Sequence, residues 1–364
     1  MRFLMLESFY SGSHALFADG LVAHSSHDID LITMPGENWR WRILGSALYF
    51  AEKAVSLDSY DGLIVTDLFN LPDFLALTGG HKLPVLVYYH ENQITYPQPP
   101  GDRHAFQTGI VNITTALAAD RVIFNSKHHM TGFISAAGEF LNKTPDCPPA
   151  NLQETIAQKA SVLYPGVSMT ATPPAAFPSP SSSLHPLIIW NHRWAYDKNG
   201  KPFFHALDAI ADQGVDFRLA ILGENFGRIP PAFADARERF QDRIVQFGYV
   251  KSRRQYLNWL TRGDIVVSTA NQENFGMAVV EAALCGCIPL LPGRLSYPEI
   301  IPPAFHDACL YKNQDDLISK LAALLTNARQ RSALKEPIGT AMQPYLWENR
   351  IGEFDGILET LAER

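Results

Sequence analysis

The stretch that most constrains the fold runs from Ser268 to Pro289, where a short apolar run gives way to a loop and then to a second apolar pattern of longer period. Residues 264–268 read as a buried strand, and apolar residues recur at helical spacing from Met277 onwards. The stretch therefore predicts a strand, a loop at its carboxyl end and a helix that begins directly after the loop.

Two carboxylates frame this loop and helix. Glu273 is predicted in the loop and Glu281 two helical turns later, so both can face the same side. Gly276 lets a ligand approach the backbone, and the first amides of the helix favour an anion. The pattern indicates a sugar at Glu273, a diphosphate at the helix start and a ribose at Glu281. On spacing alone, an acidic first turn followed by a solvated glutamate is the alternative.

Length and composition predict two globular domains and no membrane span. The chain has 364 residues, of which 46% are hydrophobic, and this is enough for two cores of ordinary domain size. No apolar run approaches the length of a transmembrane helix. Residues 1–8 read as a first strand rather than a signal peptide.

Cysteine usage and net charge limit the cofactors and partners. Cys285 and Cys287 have no second Cys or His pair at ligand spacing, so we expect no metal there and a reducing, cytoplasmic compartment. The net charge of −7 gives no general basic footprint. A nucleic-acid partner would therefore need a local basic patch.

The first half of the chain has the pattern of a doubly wound α/β domain. Residues 2–7 read as a strand that leads through a Gly- and Ser-containing loop into an apolar-periodic segment at 15–22. Because ligands bind beyond the carboxyl ends of such strands, Gly12 and His14 are predicted to face a ligand. An ordinary turn with a surface histidine is the alternative. Further strands are predicted at 29–35, 60–66, 84–89, 122–126 and 159–164.

Four polar residues, His90, Glu91, Asn92 and Gln93, directly follow the strand predicted at 84–89. Their position at the ligand-facing end favours a binding role. The alternative is a core histidine that a backbone carbonyl satisfies.

Trp39, Arg40, Trp41 and Arg42 alternate aromatic rings with cations. Such a sequence can stack on bases and grip phosphates, which favours contact with a nucleic acid. The alternative is an amphipathic loop that its tryptophans anchor.

The domain boundary is predicted in residues 170–186, which are dense in Pro, Ser and Ala and read as a semi-rigid linker. The predicted domains are an N-terminal one at 1–169 and a C-terminal one at 187–343. Residues 344–364 contain a last amphipathic helix.

The C-terminal domain begins with an apolar strand at 187–190, whose following loop contains Arg193 and Lys198. Two fixed cations at a strand end can hold a diphosphate and neutralise the charge that develops as it leaves. Solvation at the surface is the alternative for both cations.

Two further strands are predicted at 217–222 and 244–247. Gly223 ends the first of them, and Tyr249 and Val250 follow the second, where they would line a base pocket.

Together these motifs resemble the signature of the retaining, nucleotide-sugar-dependent glycosyltransferases of family 4. The resemblance covers residues 187–300 and includes Arg193 with Lys198 and the block from Glu273 to Glu281. It implies a GT-B fold, in which two Rossmann-like α/β domains face each other across a cleft. It also implies that the final helix, after Pro344, crosses back onto the first domain. Family members lack an Asp-x-Asp metal motif, and the Asp pair at 28–30 of this chain lies at the start of a strand. No metal and no cofactor are therefore expected.

The resemblance also implies roles for single residues. The residues implied in catalysis are Glu273, His90, Arg193 and Lys198. The residues implied in donor binding are Gly12, Arg193, Lys198, Gly223, Tyr249, Val250, Glu273, Asn274, Phe275, Gly276, Met277 and Glu281.

Blocks in both halves look like the tRNA-queuosine α-mannosyltransferase group, among them residues 7–14, 39–50, 89–97 and 190–194. This implies transfer of mannose from GDP-mannose to the cyclopentenediol of queuosine in a tRNA anticodon. The residues expected on the acceptor side are His14, Trp39, Arg40, Arg42, Glu91, Asn92 and Gln93. Since the chain is acidic, contact with tRNA would rest on local patches such as Arg40/Arg42, Lys127/His128 and Arg253/Arg254.

Retaining enzymes of this fold imply a front-face displacement in which the leaving diphosphate takes the acceptor proton. The first alternative is the same fold acting on a lipid or small-sugar acceptor, with another nucleotide sugar. The second is a catalytically silent nucleotide-sugar or RNA-binding protein, which the intact Arg193, Lys198, Glu273 and Glu281 disfavour. The third is a nicotinamide-dependent oxidoreductase, disfavoured because no G-x-G-x-x-G turn follows the first strand.

Overall fold

Strands and helices alternate along the chain and form two compact units. The computed structural model describes residues 1–363 apart from 54–55, 81, 98–104, 143–145, 148, 170–184, 225–226 and 228. The first unit comprises residues 1–168 and 345–364, and the second comprises residues 169–344. The predicted linker at 170–186 lies almost entirely outside the described residues, so its boundaries stay a prediction.

The described strands lie within three residues of the predicted ones wherever a strand was predicted. They are β1 (Arg2–Tyr10), β2 (Asp28–Pro35), β3 (Gly62–Thr66), β4 (Val85–Tyr89), β5 (Arg121–Phe124), β6 (Ala160–Val162), β7 (Leu187–Trp190), β8 (Arg218–Ile221), β9 (Ile244–Phe247), β10 (Ile265–Val267), β11 (Ile288–Pro292) and β12 (Leu310–Tyr311).

The described α-helices are α1 (Gly12–His24), α2 (Trp39–Lys53), α3 (Leu71–Leu77), α4 (Ala105–Ala118), α5 (Lys127–Leu141), α6 (Leu152–Ala157), α7 (Gly200–Asp212), α8 (Pro231–Arg239), α9 (Arg253–Arg262), α10 (Met277–Leu284), α11 (Tyr297–Ile300), α12 (His306–Cys309), α13 (Gln314–Thr326), α14 (Ala328–Met342) and α15 (Trp347–Ala362).

The first unit contains a parallel sheet with the strand order β2-β1-β3-β4-β5-β6. Every residue of β3 and β4 is buried, because a parallel sheet with helices on both faces exposes neither face. Residues from α2 to α6 pack on one face, and α1 with α15 packs on the other. The strand order reverses direction between β1 and β3, and doubly wound sheets bind ligands at such a point.

The second unit contains a parallel sheet with the strand order β12-β11-β10-β7-β8-β9. Counted from β7, this is the 3-2-1-4-5-6 order of the dinucleotide-binding fold. The order reverses between β7 and β10, which are paired through Ile188 and Ile265. Both units therefore have the predicted doubly wound α/β architecture.

The last helix, α15, belongs to the core of the first unit. Trp347 at its start is fully buried, and its ring lies 5.7 Å from that of Phe17 and 5.2 Å from that of Phe354. Leu358 and Leu361 extend the same buried face towards the end of the helix. The apolar period of the segment thus serves to cover the first sheet.

The interpretation of residues 39–42 as a loop is wrong, because α2 begins at Trp39. The residues that follow have a helical period, and Ile43, Ala47 and Phe50 are all buried. Burial of this stripe continues the helix back to the tryptophan, which packs against the cluster of Ile43 and Leu68.

Within the described residues, no helix is both long enough and apolar enough to cross a membrane. The cysteines are all free thiols: Cys147 is exposed, and Cys285, Cys287 and Cys309 are buried.

Candidate active-site residues of each unit

In the second unit, the predicted donor residues follow β7 and β10, the two strands at which the sheet order reverses. A 3-10 turn at Tyr196–Lys198 follows β7, and the loop with Glu273 follows β10. The backbone amide of Asn271 donates to the carbonyl of Asp197 at 2.7 Å and ties the two loops together. The fold thus brings Lys198 and Glu273 together although 75 positions separate them in the chain.

Lys198 lies at the centre of this group. Its Nζ donates to Oε2 of Glu273 at 2.9 Å and to the carbonyl of Gln272 at 3.0 Å, and it lies 3.3 Å from Oδ2 of Asp197. Burial alone would lower the pKa of Lys198, but the charges of Glu273 and Asp197 raise it above its ordinary value. The ammonium therefore stays charged although it is largely shielded from solvent.

Arg193 lies near the same carboxylate with a more exposed side chain. Its guanidinium is 3.7 Å from Oδ2 of Asp197, and 46% of the side chain is accessible. The structure thus brings together both predicted cations around Asp197, a residue that the sequence analysis did not select. Its position directly before Lys198 in the sequence could have indicated that it lies at the same site.

Gly276 shapes the loop between Glu273 and α10. It caps the helix with φ of 99°, a left-handed conformation that favours glycine. A Cβ there would lie 3.2 Å from the ring of Tyr297. Asn274 and Phe275 are buried in this loop, and Met277 is the first, half-buried residue of α10.

Glu281 is buried inside α10, and each of its carboxylate oxygens accepts a hydrogen bond from a side chain. Its Oε1 accepts from the guanidinium of Arg253 at 2.6 Å and its Oε2 from the hydroxyl of Tyr256 at 3.1 Å. Arg253 was expected in a tRNA-binding patch with Arg254, but it forms this ion pair, so Arg254 is the exposed residue of the two. Tyr256 was not predicted, because nothing in its local sequence indicates a partner 25 positions away.

The remaining donor candidates of the second unit follow β8 and β9. Gly223 lies so close to β7 that a Cβ would fall 1.6 Å from the carbonyl oxygen of His192. Tyr249 is 58% exposed, and Val250 packs at the edge of the core near β7 and α9. An exposed aromatic ring at a strand end is available for stacking on a base.

In the first unit, Glu7 and His14 form a buried pair at the point where the sheet order reverses. Nδ1 of His14 lies 3.3 and 3.4 Å from the two carboxylate oxygens of Glu7. Glu7 also accepts from the amide of Phe9 at 2.8 Å and the hydroxyl of Thr66 at 3.1 Å. Burial opposes protonation, but Glu7, and to a lesser degree Asp67 and Glu91, raise the pKa of His14 to about 9.

His90 packs on this pair. Its ring centroid lies 4.2 Å from that of His14, and its backbone amide donates to Oδ1 of Asp67 at 2.8 Å. Burial and then the charge of His14 keep the pKa of His90 well below its ordinary value, while burial raises the pKa of Asp67 to about 7. The sequence analysis selected His90 and His14 but not Asp67, which follows the end of β3.

The three residues after His90 differ in their accessibility. Asn92 is buried, and its Oδ1 accepts from the amides of Ile94 and Thr95, so it stabilises the turn. Gln93 is also buried, and its Nε2 donates to Oε1 of Glu91 at 3.1 Å. Glu91 is half-buried and is the side chain of the three with accessible surface for a ligand.

The other predicted residues of the first unit lie at the starts of α1 and α2. Gly12 is exposed and has φ of 53°. Arg40 is exposed and lies over the ring of Trp39 at 4.7 Å. The expectation that Arg42 grips an acceptor does not fit its position, since its side chain is buried and its Nε donates to the carbonyl of Pro35 at 3.1 Å.

Glu7, His14 and His90 are the described residues that could hold a metal ion, because one ligand atom from each lies within 4.8 Å of the others. The direct contact of His14 with Glu7 accounts for their proximity without an ion. The expectation that the protein needs no metal stays a prediction.

Two family models match most of the chain. Residues 2–167 match the family model described as "tRNA-queuosine alpha-mannosyltransferase N-terminal". Residues 176–338 match the model "Glycosyl transferases group 1". A Drosophila melanogaster protein named tRNA-queuosine alpha-mannosyltransferase is 35% identical over 328 residues, which cover 87% of this chain and 85% of that protein.

A more distant relative matches part of the chain. The GDP-mannose-dependent alpha-(1-6)-phosphatidylinositol dimannoside mannosyltransferase of Mycobacterium tuberculosis is 27% identical over 146 residues, which cover 40% of this chain and 36% of that protein.

Solved structures establish the fold. Sucrose-phosphate synthase from Thermosynechococcus elongatus superposes with a TM-score of 0.74 at 14% identity and covers 99% of both chains. Anabaena HepE, solved with UDP and glucose, gives a TM-score of 0.69 at 15% identity and covers 99% of this chain and 100% of its own. The predicted GT-B glycosyltransferase fold is confirmed.

Proposed function

Because this chain belongs to the tRNA-queuosine alpha-mannosyltransferase family, we propose that it transfers mannose from GDP-mannose to the cyclopentenediol of queuosine in a tRNA anticodon. The observation that carries the proposal is the group of Arg193, Lys198 and Glu273 at the point of sheet reversal, in a chain of this family. This group has the cations for a diphosphate and a carboxylate for the sugar beside them.

The donor diphosphate would bind at Arg193, Lys198 and the amides at the start of α10. Two cations and a helix N-terminus counter the charge that grows on the diphosphate as the bond to the sugar breaks. These groups supply the charge that a metal supplies in other transferases, so the proposed reaction needs no metal and no cofactor. Glu273 would then turn from Lys198 to a sugar hydroxyl, and Glu281 would contact the ribose.

The proposed displacement retains the configuration of the sugar. The bond from the anomeric carbon to the phosphate oxygen breaks while a queuosine hydroxyl oxygen bonds to the same face of that carbon. The hydroxyl proton passes to the departing phosphate oxygen. Lys198 and Arg193 hold that oxygen in place, and positioning of this kind accounts for much of the rate in a reaction without a side-chain nucleophile.

The acceptor would be bound by the first unit, where His14, His90 and Glu91 lie at the carboxyl ends of the strands. Contact with the tRNA backbone would come from exposed cations such as Arg40, Lys127 and Arg254. Such patches allow an acidic protein to bind tRNA locally, in the cytoplasm where its substrate occurs.

A mass assay tests the proposal. Queuosine-containing tRNA is incubated with GDP-mannose and the protein, digested to nucleosides and weighed. The expected result is the gain of one hexose on queuosine, with none on the same tRNA carrying guanosine and none with UDP-glucose. Anomeric NMR of the product should show the α configuration of the donor. Hexose transfer to a lipid or free sugar, with none to queuosine, would overturn the acceptor assignment.

A further inference from the structure

His192 is a buried histidine of the second unit that the proposed function does not use. It is the second residue after β7 and is 4% exposed. Its ring packs edge-on against Trp190 at 5.3 Å and lies close to the backbone of Val267, which ends β10. It therefore sits between the two strands at which the sheet order reverses.

One ring nitrogen of His192 lacks a partner. Nε2 is sealed from solvent and makes no hydrogen bond with any of the described residues. In a neutral imidazole one nitrogen donates and the other accepts, so Nε2 has an unused hydrogen-bonding capacity in either tautomer. Burial of such an atom without a partner costs free energy, which a ligand that bonds to it would recover.

The surroundings of the ring are those of the donor residues. Lys198, Glu273 and Asp197 all act on it electrostatically. Burial, followed by the charge of Lys198, lowers the pKa of His192 to about 4 against the opposing effect of the two carboxylates. The ring is thus neutral at pH 7, and Nε2 can share one hydrogen bond with a ligand.

We propose that Nε2 of His192 shares a hydrogen bond with a hydroxyl group of the donor's sugar. The proposal rests on the proposed function, because it takes a nucleotide sugar as the ligand. A sugar hydroxyl both donates and accepts hydrogen bonds, so it fits a neutral imidazole in either tautomer. Lys198 cannot fill this role in the structure, since its ammonium is directed to Glu273 and Gln272.

Nε2 is sealed in the structure, so the proposal requires the donor site to open when the nucleotide sugar binds. We expect a diphosphate that draws Lys198 away from Glu273 to begin this opening. The backbone of His192 cannot retreat, because its carbonyl oxygen lies against Gly223 with no room for even a Cβ between them. Because its backbone is fixed there, the ring of His192 can contact a hydroxyl at one position of the sugar.

Deoxy donors test the proposal through a double-mutant cycle between protein and ligand. kcat/KM is measured for wild type and His192→Phe with GDP-mannose and with its 2-, 3-, 4- and 6-deoxy analogues. In wild type, loss of the hydroxyl that His192 reads should lower kcat/KM about tenfold. With GDP-mannose, the kcat/KM of His192→Phe should be about tenfold below that of wild type. With the analogue that lacks this hydroxyl, the variant should show no further loss.

The other three analogues are the internal comparison. For each of them, the loss in kcat/KM from the missing hydroxyl and the loss from His192→Phe should multiply. His306→Phe is the control variant, since it removes a histidine of the same unit whose Nε2 lies against the carbonyl oxygens of Pro298 and Ile301. It should single out no analogue. GDP binding and thermal unfolding show whether each variant is folded, and His192→Gln replaces His192→Phe if the latter is not.

If the two losses in kcat/KM multiply for all four analogues, the proposal is wrong, and a trapped water would be the partner of Nε2. An unchanged kcat/KM in folded His192→Phe would overturn it as well. A wild-type protein that does not use GDP-mannose at all would instead overturn the proposed function.

Discussion

Nζ of Lys198 lies 2.9 Å from Oε2 of Glu273, and the two residues follow different strands of one sheet. The residue expected to hold the leaving group is thus bonded to the residue expected to hold the sugar. A diphosphate that binds Lys198 must compete with Glu273, and this competition couples binding of the two halves of the donor.

Lys198→Ala should lower kcat/KM about a hundredfold or more, because the charge that develops on the diphosphate would lose its nearest cation. Turnover is measured by hexose transfer and folding by thermal unfolding. Lys201→Ala is the matched control, since Lys201 is an exposed lysine three positions on. Equal activity of both folded variants would remove Lys198 from the mechanism.

Glu281→Gln should weaken GDP binding and also lower the free energy of unfolding by about 1–3 kcal/mol. The substitution leaves the guanidinium of Arg253 without its carboxylate in a half-buried site. Calorimetry with GDP and chemical denaturation measure the two effects. Asp208→Asn breaks a more exposed pair with Arg239 and should change neither by much. Unaltered GDP affinity in Glu281→Gln would contradict the ribose assignment.

Arg40→Ala and Arg42→Ala should differ although they change neighbouring residues of one motif. Arg40 is exposed over Trp39, so its loss should weaken tRNA binding and reduce the slope of log K against log salt by about 1. Arg42 is buried against Pro35, so its loss should mainly lower stability. Binding at several salt concentrations and denaturation distinguish them. Unchanged tRNA binding and an unchanged salt slope in Arg40→Ala would show that Arg40 does not contact the tRNA.

Gly223→Ala should destabilise the second unit by about 3 kcal/mol or more, because the new methyl group would meet the carbonyl of His192 at 1.6 Å. Gly352→Ala is the control: this glycine lies in α15, and a Cβ there meets nothing within 4 Å, so alanine should be neutral or slightly stabilising. Denaturant unfolding compares the two. If Gly223→Ala had the same denaturant midpoint as the wild type, the segments after β7 and β8 could move apart without a loss of stability.

The buried His129 should make the folded protein less stable in acid. Burial, and then the charge of His128, lowers the pKa of His129 to about 3, whereas the unfolded chain binds this proton below about 6.5. Stability from this residue is therefore present above pH 6.5 and lost as the pH falls towards 3. His129→Phe should reduce the fall in unfolding free energy between pH 7 and 5 by up to about 2 kcal/mol. Identical pH profiles would show that His129 is protonated in the folded protein.

The sequence predicted the strands well because a strand buried on both faces is a local apolar run, as in β3 and β4. It also predicted that Lys198 and Glu273 follow strands of one sheet, since polar residues at strand ends meet at one edge. The partners of these side chains were out of reach. Tyr256 meets Glu281 through the packing of α9 on α10, and no period along the chain specifies that contact.

Residues 39–42 show that a local motif can fit two different structures. Alternating tryptophan and arginine fits a loop as well as a helix start when the motif is considered alone, and the deciding stripe of Ile43, Ala47 and Phe50 lies after it. The sequence analysis also assigned Asn92 to a ligand, while its amide oxygen closes a turn of its own loop. Asparagine serves both purposes, and only the backbone path distinguishes them.

The position of α15 in the first core has a consequence for biosynthesis. Trp347, Phe354 and Leu361 follow the whole of the second unit in the chain, and they cover the sheet whose first strand is β1. All residues of the second unit are therefore added before them. The nascent first sheet therefore keeps one face incompletely covered throughout translation of the second unit, and this is the interval in which a chaperone has an apolar surface to bind.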